Sequence, residues 1–337
     1  MSEENIQLVA KKIVENGKGI LAADESTNTI KKRFDSINVK STEETRSFYR
    51  DTLFSTPNIS KYISGVILFE ETFFQKNINN ESLKKKLEDV ECFPGIKIDQ
   101  GLETFKDSIE TYTKGIETLD GRLKPFVENG AKFTKWRAVI NIGETIPSNK
   151  CIDKNSALLA EYALISQKNN LVPIVEPEVI MDGTHKMNSC YDVTKETLKQ
   201  VFIFLNKKKV NLKGILLKPN MIVPGSKSGE KLDSQETAKK TLECMKETVP
   251  KDVPGIVFLS GGLSSLNATM ILNEINKLNN APWKLSFSYG RALQEDALKK
   301  WAGNQENKNI VQDTFLHRAR MNSLACYGKW DTSLENV

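Results

Sequence analysis

Apolar residues along the chain fall into short β-rich runs separated by helical stripes. The runs are Gly19–Asp24, Ile63–Phe69, Gly95–Asp99, Phe133–Ile140, Leu171–Glu178, Gly214–Asn220, Gly255–Ser260 and Trp283–Gly290. Several are almost continuously apolar, such as Gly214-Ile-Leu-Leu217 and Gly255-Ile-Val-Phe-Leu259. That composition predicts parallel strands covered on both faces rather than strands with one wet face. Between them, Asn155–Lys168 repeats Leu158, Leu159, Tyr162 and Ile165, and Thr194–Asn206 repeats Leu198, Val201, Phe202 and Leu205. Spacings of three and four put each set on one stripe of a helix.

Eight strands alternating with helices predict an α/β fold, a single (β/α)8 TIM barrel over residues 1–337. An open doubly wound sheet would carry a glycine-rich loop after its first strand, whereas Gly17-Lys18-Gly19 precedes it. Gln100–Tyr112 has no stripe of either period before the helical pattern of Gly121–Asn129, so it is expected to be an irregular insertion in the third βα loop. The polar segment 327–337 is expected to be a short mobile tail.

Composition adds mostly exclusions. The hydrophobic share is 39% and no run is long enough for a membrane span, so no membrane insertion is expected. The net charge of +5 lacks the clustered basic and aromatic pattern of a nucleic-acid surface, and Lys84–Lys86 and Lys207–Lys209 read as solvated helix ends. Five cysteines, 92, 151, 190, 244 and 326, are widely spaced with no C-x-x-C pair, which fits reduced thiols. With an acidic N-terminus and no leader pattern, a cytoplasmic location is expected. His185 and His317 form no ligand-spaced pair, so no catalytic zinc site is expected.

Chemistry concentrates where a barrel places it, at the C-terminal ends of the strands. Seven of the eight ends carry polar or charged groups: Asp24-Glu25-Ser26, Lys97 with Asp99, Lys135-Trp136-Arg137, Glu176-Pro177-Glu178, Lys218, Ser260-Gly261-Gly262 and Ser288-Tyr289-Gly290-Arg291. Any one of them alone reads as a solvated rim residue. Together they would place several charges round one mouth, which is costly unless they pair with each other or with a ligand.

Lys218, between Leu217 and Pro219, alternates out of phase with Leu217 and should point into the barrel. Desolvation and a second ammonium, from Lys135 or Lys97, would favour the neutral amine that attacks a ketone; a structural lysine is the alternative. Glu176 and Glu178 share a strand face and could move protons or neutralise Lys135 and Lys218. The glycines after strands seven and eight, with Arg291, suit a phosphate, or serve as tight turns.

On these residues the sequence resembles the eukaryotic type of class I fructose-1,6-bisphosphate aldolase from about Gly17 to Lys329. The resemblance is carried by Gly19-Ile-Leu-Ala-Ala-Asp-Glu-Ser-Thr27, Gly95-Ile-Lys-Ile-Asp99, Lys135-Trp-Arg137, Val172-Pro-Ile-Val-Glu-Pro-Glu178, Leu216-Leu-Lys-Pro-Asn-Met221, Phe258-Leu-Ser-Gly-Gly262 and Phe287-Ser-Tyr-Gly-Arg-Ala-Leu293.

The resemblance implies that Lys218 forms an imine with C2 of the sugar and that Glu176 exchanges protons during its formation. It implies that Asp24 assists C3–C4 cleavage at the C4 hydroxyl, Lys135 stabilises the departing C2 oxygen, and Glu178 tunes the lysines. Ser260, Gly261, Gly290 and Arg291, with Arg33, would hold the C1 phosphate; Ser26, Thr29 and Lys97 would lie near the C6 phosphate; Arg137 and Ser288 complete the substrate set. A phosphorylated sugar substrate, no metal or organic cofactor, a homotetramer and a cytoskeletal side interaction are further implications.

Thr29 stands where many relatives carry serine, which keeps the hydroxyl. Animal enzymes of this family close with a tail tyrosine that helps protonate the enamine, whereas this sequence reads to Val337 soon after Trp330. A monophosphate or transaldolase-like enzyme, and a non-catalytic scaffold, are the alternative readings.

Overall fold

A computed structural model describes residues 3–336. The eight runs become β1 (Gly19–Ala23), β2 (Ile63–Leu68), β3 (Phe93–Lys97), β4 (Phe133–Ile140), β5 (Val172–Val179), β6 (Leu216–Leu217), β7 (Gly255–Phe258) and β8 (Lys284–Tyr289). They pair in parallel and close as β1-β8-β7-β6-β5-β4-β3-β2, with Ile20 opposite Ser288 at the seam.

Strand alternation sorts the side chains into two apolar layers. Leu21, Val66, Ile96, Trp136, Val175, Leu217, Ile256 and Phe287 belong to the large core shared with the outer helices. The alternate residues Ile20, Ile67, Phe133, Val172, Ile174, Leu216 and Val257 form a second cluster inside the barrel. A helix over Glu3–Ile13 adds Ile6, Ala10 and Ile13 to that inner cluster, closing the N-terminal end of the barrel. Phe133 is fully buried, and its ring lies where a Cβ on Gly95 would come within 2.2 Å. Apolar filling at the lower end leaves the polar residues, one or two steps further along each strand, to line the upper mouth.

The sixth run is shorter than its expected extent, 214–220. Gly214 ends a 3-10 turn; Lys218 still donates its N–H to the Val175 carbonyl at 2.8 Å, and the ladder stops at Pro219, which has no N–H to give. The third βα insertion is not wholly irregular. Leu102–Thr104 and Thr111–Thr113 form an antiparallel hairpin, and Glu110 beside it accepts hydrogen bonds from the N–H and hydroxyl of Ser148 at 2.7 Å. Its three-residue strands are too short to show an apolar alternation.

The lysine runs differ from each other. Lys84–Lys86 lies inside the helix Leu83–Asp89 and pairs with Glu88, Asp89 and Glu81, whereas Lys207 ends the helix Met187–Lys207. Along the segment read as a loose tail, Trp330 is buried and donates its indole N–H to Glu335 at 2.8 Å. Glu335 also receives both terminal nitrogens of Arg318, at 2.9 and 2.8 Å, so a two-pronged ion pair fixes this segment to the preceding helix. The polar composition hid this because one tryptophan and one glutamate supply the anchor.

Candidate active site

All fifteen candidate site residues line one cavity of about 710 Å³ at the mouth of the barrel: Asp24, Ser26, Thr29, Arg33, Lys97, Lys135, Arg137, Glu176, Glu178, Lys218, Ser260, Gly261, Ser288, Gly290 and Arg291. Even β2, whose end was the least polar, contributes Phe69 and Glu70 to the wall. The size suits a ligand as large as a sugar bisphosphate.

The charged centre is built by alternation. In β4, Phe133 faces the inner cluster, so Lys135 and Arg137, at steps of two, also face inward; in β5, Ile174 is followed in the same way by Glu176 and Glu178. Register places Arg137 beside Glu176 and Val139 beside Glu178. Lys218 and Glu176 are both only 4% exposed, and the lysine Nζ lies 3.0 Å from Glu176 Oε1. Lys135 Nζ lies 3.3 Å from the other oxygen of Glu176 and 2.7 Å from Asp24 Oδ2. Two ammonium groups therefore share one carboxylate, and a second carboxylate flanks one of them.

Of the two lysines expected to sit by Lys218, the structure selects Lys135. Lys97 closes on Asp99 at 2.6 Å instead. Arg137 caps Glu178 in a very short ion pair through its Nε.

Electrostatics fixes which groups are charged. Burial pushes the Asp24 carboxyl upward, but Lys135, Lys218 and Lys97 outweigh it and hold Asp24 well below the carboxylate range. Glu176 is likewise held below its ordinary value, burial opposing and Lys135, Lys218 and Arg137 prevailing. Burial disfavours the Lys135 ammonium, yet Asp24 and Glu176 raise it well above an ordinary lysine. At neutral pH, Asp24 and Glu176 are carboxylates and Lys135 is a cation.

The glycine end has the geometry of an anion cradle. Gly261 and Gly262 have φ of +55° and +102°, a backbone that side chains disfavour, and a Cβ at Gly262 would come 3.1 Å from an Arg291 terminal nitrogen. Gly290 is bordered by an Arg33 terminal nitrogen, 3.5 Å from where its Cβ would be. Ser288 Oγ is buried with no hydrogen-bond partner among the described residues. On the far wall the Ser26 and Thr29 hydroxyls lie 3.0 Å apart.

Sequence reasoning noted Glu25 and Asp99 at strand ends without giving them a role and passed over Asp182; all three also line the cavity. Asp99 had a usable signal, since Lys97 and Asp99 alternate onto one face. Glu25 binds Arg33 at 2.5 Å, a contact that spacing alone does not reveal.

Residues 5–337 match the model of the class-I fructose-bisphosphate aldolase family. The chain belongs to that family. It is 47% identical over 332 residues to a probable fructose-bisphosphate aldolase class 1 of Xanthomonas campestris, covering 98% of this chain and 99% of that one. It is 49% identical to fructose-bisphosphate aldolase 1 of Toxoplasma gondii, over 95% and 89% of the two chains. Among solved structures, the fructose-bisphosphate aldolase of Plasmodium falciparum, in ternary complex with TRAP and a small-molecule inhibitor, superposes with a TM-score of 0.96 at 46% identity, covering 97% and 95%. The activity is that of a glycolytic aldolase, a lyase that cleaves fructose 1,6-bisphosphate.

Proposed function

We propose that this aldolase works through an imine on Lys218. What supports this most directly is a lysine amine, 4% exposed, 3.0 Å from the Glu176 carboxylate within a cavity whose glycine and arginine end suits a phosphate.

In the reaction inferred, the Lys218 amine adds to the C2 carbonyl of fructose 1,6-bisphosphate. Glu176 carries the protons, and the C2 oxygen leaves as water beside the Lys135 ammonium. Asp24, a carboxylate at neutral pH, then accepts the proton of the C4 hydroxyl. The C3–C4 bond breaks, its electron pair flows into the protonated imine, and glyceraldehyde 3-phosphate leaves an enamine on Lys218. Protonation at C3 and hydrolysis release dihydroxyacetone phosphate. Lys135 suits the second step because it is already a cation next to the carboxylate that moves the proton. Glu178 and Arg137 neutralise one another beside this centre and shape the lysine field.

The glycine backbone at Gly261 and Gly290, with Ser260, Ser288, Arg33 and Arg291, is assigned to the C1 phosphate. Ser26, Thr29 and Lys97 are assigned to the C6 phosphate. Loss of the Lys97–Asp99 pair on binding would free the ammonium for that phosphate.

Borohydride reduction in the presence of dihydroxyacetone phosphate, followed by peptide mass mapping, tests the reading. The expected adduct lies on Lys218 and is absent from Lys218→Ala; bound substrate without an adduct would refute it.

The resemblance further supports a homotetramer, testable by sedimentation. A cytosolic location agrees with relatives such as the cytosolic fructose-bisphosphate aldolase 4 of Arabidopsis thaliana. Among the described residues no helix is long and apolar enough to cross a membrane. The cytoskeletal side interaction is carried by the resemblance alone, and filament cosedimentation tests it.

A further inference from the structure

Behind the phosphate end of the cavity, a buried polar relay joins Arg33 to residues outside the set assigned above. Gln294 sits in the first turn of the helix Arg291–Trp301 and is 2% exposed. Its amide nitrogen donates to the Ala22 carbonyl at 2.9 Å and to Glu25 Oε1 at 3.1 Å. The same Glu25 oxygen receives Arg33 NH1 at 2.5 Å, and the Glu25 backbone carbonyl receives Arg50 NH2 at 3.0 Å. Arg50 is itself 1% exposed and tied to Glu71 at 3.3 Å.

Arg33 is the arginine of this chain of contacts that lines the cavity. Its side chain is 21% exposed, whereas that of Glu25 is 4% exposed. A guanidinium on a flexible stem loses rotamer entropy when it binds an anion, and an anchor that holds it beforehand removes much of that cost. Glu25 can act as the anchor only while its own carboxylate is kept from turning. Gln294 does this with one hydrogen, and the second hydrogen, given to Ala22, keeps the amide from turning. Because Gln294 lies three residues after Arg291, the helix that begins at the phosphate cradle also holds the other arginine of that cradle.

We propose that Gln294 is a positioning residue for phosphate recognition, holding Arg33 through Glu25 at the Gly290 edge of the cavity. The proposal rests on the reading of Arg33 as a phosphate ligand. Gln294 touches no reacting atom; it sets affinity for the phosphorylated end of the substrate rather than the rate of bond cleavage.

The test combines steady-state cleavage of fructose 1,6-bisphosphate with competitive inhibition by inorganic phosphate. Gln294→Met keeps the length of the side chain and removes the donor. The expected result is a rise of about tenfold in both KM and the phosphate inhibition constant, with kcat changed less than about twofold. In an Arg33→Ala background the same change should add nothing, since two residues acting through one contact are non-additive.

Glu25→Gln, which weakens the hold on Arg33 while retaining an acceptor for Gln294, should give the same profile and stands in if Gln294→Met does not fold. Full additivity with Arg33→Ala would overturn the relay. So would a fall in kcat and melting temperature with the phosphate constant unmoved, which marks a purely structural role. If Arg33→Ala itself leaves phosphate inhibition unchanged, the assignment of Arg33 fails instead.

Discussion

Replacing Glu176 by leucine isolates the electrostatic centre of the cavity. Lys135 would keep its 2.7 Å contact with Asp24, but Lys218, 4% exposed, has no ion-pair partner among the described residues other than Glu176. Leaving one member of a buried pair uncompensated costs roughly 3–5 kcal/mol.

The expected loss is therefore about 4 kcal/mol. For a chain of 337 residues the unfolding entropy near the midpoint is about 0.7 kcal/mol per degree, so the melting temperature should fall by about 6 °C. Differential scanning calorimetry at pH 7 is the assay. A loss below about 1 kcal/mol would refute the argument that Glu176 compensates a buried Lys218. Glu176→Gln, which still offers a carbonyl to Lys218, should lose about half as much.

Asp24 and Glu176 are both held below their unfolded carboxyl values, so the stability they contribute is complete above about pH 4.5 and is lost as pH falls through their folded values. Acid titration of the Glu176→Leu melting temperature should accordingly show a shallower decline than the parent between about pH 4.5 and pH 2. Gly95→Ala would drive a methyl into the buried Phe133 ring, at 2.2 Å, and should cost about 3 kcal/mol in urea unfolding, partly recovered in combination with Phe133→Leu. Trp330→Ala should cost about 3 kcal/mol and expose the segment 330–336 to carboxypeptidase, while Tyr327→Ala, already 52% exposed, should leave that digestion unchanged.

The two periodicities carried much of the fold. Continuous apolar runs four to eight residues long identify buried parallel strands because both of their faces are covered, and eight of them with helices between close only as a barrel. The same alternation carried the site. Once Phe133 and Ile174 face inward, so must Lys135, Arg137, Glu176 and Glu178, two steps at a time. The 102–113 hairpin escaped because three-residue strands carry no period, and the Trp330–Glu335 anchor because two residues leave no pattern.

The order of residues by itself determined which groups stand at the strand ends and on which face, since alternation is a property of the backbone and needs no partner. Which charges meet was decided only by closure of the barrel. Lys135 joined Asp24 to Glu176, and Gln294, some 270 positions away, came to rest against Ala22 and Glu25. Such pairings depend on distances across a ring of strands, and a linear sequence has no term for a distance between residues on elements that become neighbours only when the ring shuts.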